Sequence, residues 1–171
     1  MFAYHATSSP TSDPYRHMSS IALNGLKPKK SAKQSLGYRK TILGDRWRDK
    51  FLYFVKNPKD AAYMLVVHYG SGLRLEDGGA IFRFPMPDDY TQDPDTSDTN
   101  MLMTNDSIDP EDLEIFVPPR AYYTRLEGRG TANWGPDRHA MNFIKNKLLD
   151  NKYWHKFYED GQFTDPWTNQ Q

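Results

Sequence analysis

The pattern of apolar and polar positions predicts alternating strands and helices in the first part of the chain. Residues 2–6 alternate aromatic and small side chains and predict a short strand. Asp13-Pro14 resembles an N-cap followed by proline in the first helical turn, and Asn24-Gly25 is typical of a helix C-terminus. The apolar run at residues 51–55 predicts a second strand. Asn57-Pro58 begins a second helix, with apolar positions that fit one helical face.

The second part of the chain predicts mainly strands. These are expected at residues 80–84, 100–104 and 112–117, the last two joined by a turn at Asp109-Pro110, and a final strand is expected at residues 121–126. The order strand, helix, strand, helix, then strands favours an α+β fold. We expect a small split β-sheet with helices on one side or between its halves.

Three longer segments complete the prediction. Residues 27–50 and 87–99 are polar and predict loops, the second of them exposed. Pro136 opens a helix with apolar positions up to Leu149, and an aromatic stretch at residues 153–158 precedes a polar tail. The length of 171 residues favours one domain, with a core at residues 1–128 and a C-terminal helical and aromatic extension at residues 129–171.

Composition excludes several classes of protein and site. The chain has no cysteine, which rules out disulfide scaffolds and cysteine-based zinc sites, and its five histidines lack metal-ligand spacing. No apolar run approaches the roughly 20 residues that span a bilayer, and residues 1–5 do not begin a signal peptide. We therefore expect no metal, no membrane partner and a cytoplasmic location.

Charge is balanced over the whole chain, with 22 basic and 22 acidic residues, but not locally. Between Lys27 and Lys50 nine basic residues face only Asp45 and Asp49, whereas residues 84–119 contain ten acidic residues and no basic one. Two explanations stay open. These segments are solvated loops of opposite sign, or the basic segment binds an anionic ligand or substrate.

Two ordered segments carry a family resemblance. The first is Tyr4-His5-Ala6-Thr7 followed by Asn24-Gly25-Leu26, and the second is Leu52-Tyr53-Phe54-Val55 followed by a helix at residues 58–63. In this order they resemble the diphtheria-toxin-like and poly(ADP-ribose)-polymerase-like branch of the ADP-ribosyltransferase superfamily, which carries a His-Tyr-Glu triad. The resemblance spans residues 2–117 and implies NAD as co-substrate.

The resemblance assigns roles to individual side chains. His5 would hydrogen-bond a ribose hydroxyl of NAD, and the backbone of Ala6 would pair with the nicotinamide amide. Tyr53 and Tyr63 would stack on the nicotinamide ring. The complete set of implied NAD-binding residues is His5, Ala6, Thr7, Tyr53, Asp60 and Tyr63.

The third triad position departs from the family pattern. Alignment places Thr104 where the glutamate is expected, and Asp106 is the neighbouring acid. The implied catalytic set is then His5, Tyr53, Thr104 and Asp106. A non-acidic residue at this position is typical of mono-ADP-ribosyltransferases and of inactive relatives.

The resemblance therefore implies a mono-ADP-ribosyltransferase that modifies a protein or nucleic acid, as a toxin or viral effector does in the host cytoplasm. Four alternatives remain open. One is an inactive interaction module with the same fold, and another is NAD hydrolysis without transfer. RNA 2′-phosphotransferase chemistry would use Arg39, Arg46 and Arg48, and the last alternative is an unrelated α+β fold.

Overall fold

The computed structural model of the chain describes residues 1–8, 14–29, 50–63, 79–93, 101–117, 146–160 and 162–163. The helices are α1 (Pro14–Asn24) and α2 (Pro58–Tyr63), and 3-10 turns lie at Pro110–Asp112 and Asn151–Tyr153. The strands are β1 (Phe2–Ser8), β2 (Leu52–Phe54), β3 (Gly79–Pro85), β4 (Thr91–Gln92), β5 (Leu102–Thr104), β6 (Glu114–Phe116), β7 (Trp154–Lys156), β8 (Tyr158–Glu159) and β9 (Gln162–Phe163).

The strands form two main antiparallel sheets and one short hairpin. The first sheet has the order β1-β3-β6-β7, the second has the order β2-β5-β4, and β8 pairs with β9. An isolated bridge between Tyr4 and Val55 connects the first sheet to the second. The described residues thus form a mixed α+β structure in which β1 contacts both main sheets.

Two apolar clusters lie on opposite faces of β1. Ala3 packs with Ile21 of α1 and with Phe82 and Phe84 of β3 in the first cluster. Tyr4 and Ala6 project to the other face, where the second cluster also contains Ala61, Phe116 and Trp154. Alternation along the strand explains this division, since successive side chains point to opposite faces of a sheet. The aromatic and small pattern of residues 2–6 therefore reflects burial on both faces.

The end of α1 is fixed by a close backbone contact. Gly25 has a φ of 72°, and a Cβ at this position would overlap the carbonyl of Ile108. The neighbouring Leu26 exchanges two hydrogen bonds with Ile108, at 3.0 and 2.9 Å. Glycine is required here because it combines a left-handed conformation with close backbone approach. The predicted C-cap at Asn24-Gly25 is confirmed.

Several predicted elements are present, and one expectation needs correction. The strands predicted at residues 2–6, 51–55 and 80–84 are confirmed, and so is the helix that begins at Pro14. The strands predicted at residues 100–104 and 112–117 are present as β5 and β6, which belong to different sheets. They are separated because each pairs with a strand distant in sequence, β2 or β3.

The correction concerns residues 87–99. They were expected to form an exposed loop, yet Thr91–Gln92 forms β4 and Asp93 is buried. The aromatic stretch at residues 153–158 was predicted without an assigned secondary structure, and Trp154–Lys156 within it pairs with β6 as part of the first sheet. The predicted strand at residues 121–126 lies outside the described residues, as does the predicted helix at 136–149 up to residue 145.

Candidate functional site

A cleft of about 470 Å³ lies between β1, the end of α1, residues 26–29 and β2. Its polar lining includes His5 and Thr7 of β1, Asn24 of α1, and the two lysines Lys27 and Lys29. Phe51, Leu52 and Tyr53 supply an apolar wall. The volume falls within the range of roughly 300–1,000 Å³ that is typical of small-molecule sites.

His5 is held in this cleft by the backbone of β2. Its Nδ1 lies 2.6 Å from the carbonyl oxygen of Tyr53. Because a carbonyl can only accept a hydrogen bond, Nδ1 carries the proton and donates. In the neutral imidazole, Nε2 is then an acceptor, so the contact fixes both the ring orientation and the tautomer.

The contact between His5 and Tyr53 follows from the pairing of the adjacent residues. Tyr4 N–H donates to the carbonyl of Val55, and Val55 N–H donates to the carbonyl of Tyr4, both at 2.9 Å. In an antiparallel pairing the next residue on β1 approaches the residues that precede Val55 on β2. The bridge therefore brings the His5 ring to the Tyr53 carbonyl.

Tyr53 and Phe51 form the aromatic part of the cleft. Tyr53 is half-buried and packs against the second apolar cluster, while Phe51 is fully buried. Their ring centroids are 6.4 Å apart in an edge-on arrangement. Tyr53, supported by Phe51 at its edge, provides the aromatic surface on which a planar ligand group can pack.

The segment 26–29 supplies the basic part of the cleft. It is fixed at one end by the Leu26–Ile108 bridge, and at the other end Lys29 and Phe51 exchange hydrogen bonds of 3.0 and 3.3 Å. Pro28 has a fixed φ and disfavours helical backbone at Lys27. The two lysines that flank this proline are exposed and line the cleft.

The structure brings together only some of the predicted site residues. His5, Thr7 and Tyr53 line the cleft together. Ala6 is buried on the other face of β1, where it lines a small cavity of about 20 Å³ with His5 and Tyr53. Ala6 is therefore absent from the described lining of the larger cleft but adjoins the same two residues.

The predicted NAD contacts from α2 are not at the cleft. Asp60 and Tyr63 are absent from its described lining, and the Tyr63 side chain is 47% exposed. The helix instead directs Ala61 and Ala62 into the second apolar cluster. The role of Tyr63 as a second aromatic contact to the nicotinamide stays a prediction.

Thr104 and Asp106 form a turn away from the cleft. Thr104 is only 2% exposed, and its hydroxyl donates to the carbonyl of Asp89 at 2.7 Å while accepting from Asp106 N–H at 3.1 Å. Thr104 lies opposite Leu52 in the ladder, and neither Thr104 nor Asp106 is among the described residues that line the cleft. Asp106 is exposed. No carboxylate occurs among the described residues that line the cleft.

Sequence reasoning missed a charged group buried in the first sheet. Arg83 of β3 is 7% exposed, and its Nε and Nη2 donate to Glu114 Oε2 at 2.9 and 2.6 Å. Its Nη1 donates to Asn151 Oδ1 at 2.9 Å, and the guanidinium lies 4.8 Å from the Trp154 ring. All the guanidinium nitrogens thus have partners, which indicates a structural role. In the sequence, the signal for this buried charge was a basic residue inside an apolar strand.

Tyr4 lies beside this buried charge. Burial raises the pKa of the Tyr4 phenol above its ordinary value of 10.0, and the positive charge of Arg83 opposes that effect. The ring packs at 5.7 Å from Trp154. Tyr4 therefore belongs to the structural support behind His5, and its phenol is neutral at physiological pH.

Comparisons of the chain with protein-family models, with curated proteins and with solved structures find no match in any of the three. None of the helices in the described ranges is long and apolar enough to cross a membrane. Among the same residues, no group of three or more potential metal ligands occurs. The candidate function therefore depends on the cleft itself.

Proposed function

We propose that the cleft binds NAD and that the protein transfers ADP-ribose from NAD to a macromolecular acceptor, as a mono-ADP-ribosyltransferase. The supporting observation is the hydrogen bond of the His5 ring to the Tyr53 carbonyl in one cleft of ligand size. It joins the two ordered segments on which the family resemblance depends. The acceptor would be a protein or nucleic acid in the cytoplasm, that of a host if the chain is a toxin or viral effector.

Each cleft residue has a role in this proposal. In its neutral form His5 would accept a hydrogen bond at Nε2 from a ribose hydroxyl, because Nδ1 donates to the Tyr53 carbonyl. The Tyr53 ring packs against the nicotinamide, a contact that contributes about 1 kcal/mol beyond area burial. These contacts hold the nicotinamide and its ribose in a fixed relative orientation.

The proposed reaction breaks the bond between the nicotinamide nitrogen and C1′ of the ribose. Nicotinamide leaves with the bonding electron pair, positive charge develops on the ribose, and a nucleophile of the acceptor forms the new bond to C1′. Orientation and exclusion of water are the contributions that such a cleft can make. Since no described carboxylate lines it, the acceptor would supply the base that takes the proton lost by its nucleophile.

Incubation with NAD labelled in the adenylate phosphate tests this proposal. We expect label on an acceptor together with an equal amount of released nicotinamide. Both products should fall in His5→Asn and Tyr53→Ala, whereas Tyr53→Phe keeps the ring and should stay close to wild type. Equal transfer by the wild type and by His5→Asn would refute the assignment of this cleft.

A second function is favoured by the composition of the same lining. The absence of a carboxylate among the described lining residues suits a protein that binds NAD without turning it over. This interaction-module hypothesis predicts NAD binding that depends on His5 and Tyr53, with no release of nicotinamide. Measuring NAD binding and nicotinamide release together distinguishes the interaction-module hypothesis from the transferase.

A further inference from the structure

We infer that Lys27 and Lys29 form an anion-binding subsite at the mouth of the cleft, which takes a phosphate or diphosphate group of the bound ligand. The inference deepens the proposed function and rests on it for the identity of the ligand as NAD. It assigns a ligand contact to the segment 26–29, which follows α1. This segment contains none of the residues that the family resemblance placed at NAD.

The two lysines are positioned by the backbone on both sides. Leu26 is tied to Ile108 by hydrogen bonds of 3.0 and 2.9 Å, and Lys29 is tied to Phe51 by bonds of 3.0 and 3.3 Å. Pro28 stands between the lysines and removes much of the conformational freedom of this short segment. A fixed backbone lowers the entropy that must be lost when the side chains bind a ligand.

The charge of this pair is not neutralised by its described surroundings. Neither lysine makes an ion pair with a described carboxylate, and no carboxylate is among the described residues that line the cleft. This differs from the guanidinium of Arg83, which is compensated by Glu114. The positive potential at the cleft mouth is therefore available to an incoming anion.

The lysines and the aromatic residues Phe51 and Tyr53 line the same cleft. Lys29 is bonded through its backbone to Phe51, and Phe51 packs edge-on against Tyr53. A ligand that fits both features has a planar ring and, within a short distance, a phosphate. Nucleotides have this chemistry, whereas nicotinamide alone satisfies only the aromatic wall.

Calorimetric titration with three probes tests the subsite: NAD, inorganic pyrophosphate and free nicotinamide. We compare wild type with Lys27→Ala, Lys29→Ala and the double variant. Lys59→Ala is the matched control, since Lys59 is exposed on α2 and away from the cleft lining.

We expect each cleft substitution to weaken NAD and pyrophosphate binding about tenfold, as is usual for loss of a charge-assisted hydrogen bond. Nicotinamide binding should be unchanged, and the dependence of pyrophosphate affinity on salt should decrease.

Competition identifies the source of the phosphate. If the subsite holds the diphosphate of NAD, pyrophosphate and NAD will exclude each other. If it holds a phosphate of the acceptor, pyrophosphate will bind to NAD-saturated protein with the same lysine dependence. Both results support an anion subsite.

Different experimental results would overturn the subsite and the NAD proposal. Pyrophosphate binding that depends on the lysines, without NAD binding, would keep the subsite and remove the proposed function. Equal binding of NAD and equal binding of pyrophosphate by wild type, double variant and Lys59→Ala would overturn the subsite and leave the proposed function standing. Absence of binding for both probes would overturn both.

Discussion

Tyr4 of β1 and Val55, which follows β2, exchange two backbone hydrogen bonds of 2.9 Å and join the two main sheets. The same pairing places the His5 ring 2.6 Å from the Tyr53 carbonyl. On the opposite face, the Tyr4 ring packs 5.7 Å from Trp154. The position of His5 therefore depends on packing behind β1 as well as on the cleft.

Removal of the Tyr4 ring should destabilise the whole structure. We expect Tyr4→Ala to lower the free energy of unfolding by about 3 kcal/mol, because it empties an aromatic position in the second cluster. Tyr63→Ala is the control, since Tyr63 is 47% exposed and loss of its ring should cost less than about 1 kcal/mol. Urea denaturation measures both values, and equal losses would show that Tyr4 does not anchor β1.

Tyr4 should also make stability depend on pH in the alkaline range. Burial raises the pKa of its phenol in the folded protein above the value of 10.0 expected for an exposed tyrosine. The resulting stabilisation is fully present below pH 10 and is lost as the pH rises through the folded pKa. Stability measured from pH 9 upward should therefore fall more steeply in wild type than in Tyr4→Phe. Parallel curves would contradict the burial of this phenol.

The Arg83–Glu114 pair should be costly to break. Glu114→Gln leaves the buried guanidinium without its counter-charge, and we expect a loss of about 3 kcal/mol of unfolding free energy. The exposed Lys152–Asp150 pair, at 4.0 Å, provides the comparison, and Lys152→Ala should cost at most about 1 kcal/mol. A small effect of Glu114→Gln in chemical denaturation would mean that solvent replaces the lost charge.

Gly25 should not tolerate a side chain. We expect Gly25→Ala to destabilise the protein by at least about 2 kcal/mol, since it combines an unfavourable φ of 72° with overlap against the Ile108 carbonyl. Ser19→Ala, at an exposed position of α1, should change the melting temperature little. If the two variants melt alike, the close approach at Gly25 is not maintained in solution.

The sequence predicts elements well where local patterns decide them. Alternation at residues 2–6 and the Asn24-Gly25 ending identify β1 and the end of α1, because side-chain burial and left-handed backbone leave local signatures. Strand partners leave much weaker signatures. The three residues of β7 pair with β6, about 40 positions earlier, and so short a strand has no readable period.

The candidate site, like the fold, is predictable in part from the sequence. His5, Thr7 and Tyr53 were expected together and do line one cleft. The placement of Thr104 depends on its register opposite Leu52, and a register shift of one residue reverses the face of every side chain. In the sequence, Lys27 and Lys29 were identifiable only as the first residues of a basic segment. Their location follows from bridges to Ile108 and Phe51, which are long-range contacts.

The central claim is that NAD binds against His5, and calorimetric titration with NAD tests it most directly. His5→Asn places a side-chain amide near the Tyr53 carbonyl but lacks a group at the position of Nε2. His155→Asn, on β7 and away from the described cleft lining, is the matched control. We predict saturable binding to wild type, unchanged affinity in His155→Asn, and affinity about tenfold weaker in His5→Asn, as expected for one lost hydrogen bond. Failure of the wild type to bind NAD, or equal affinities in all three proteins, would contradict the claim.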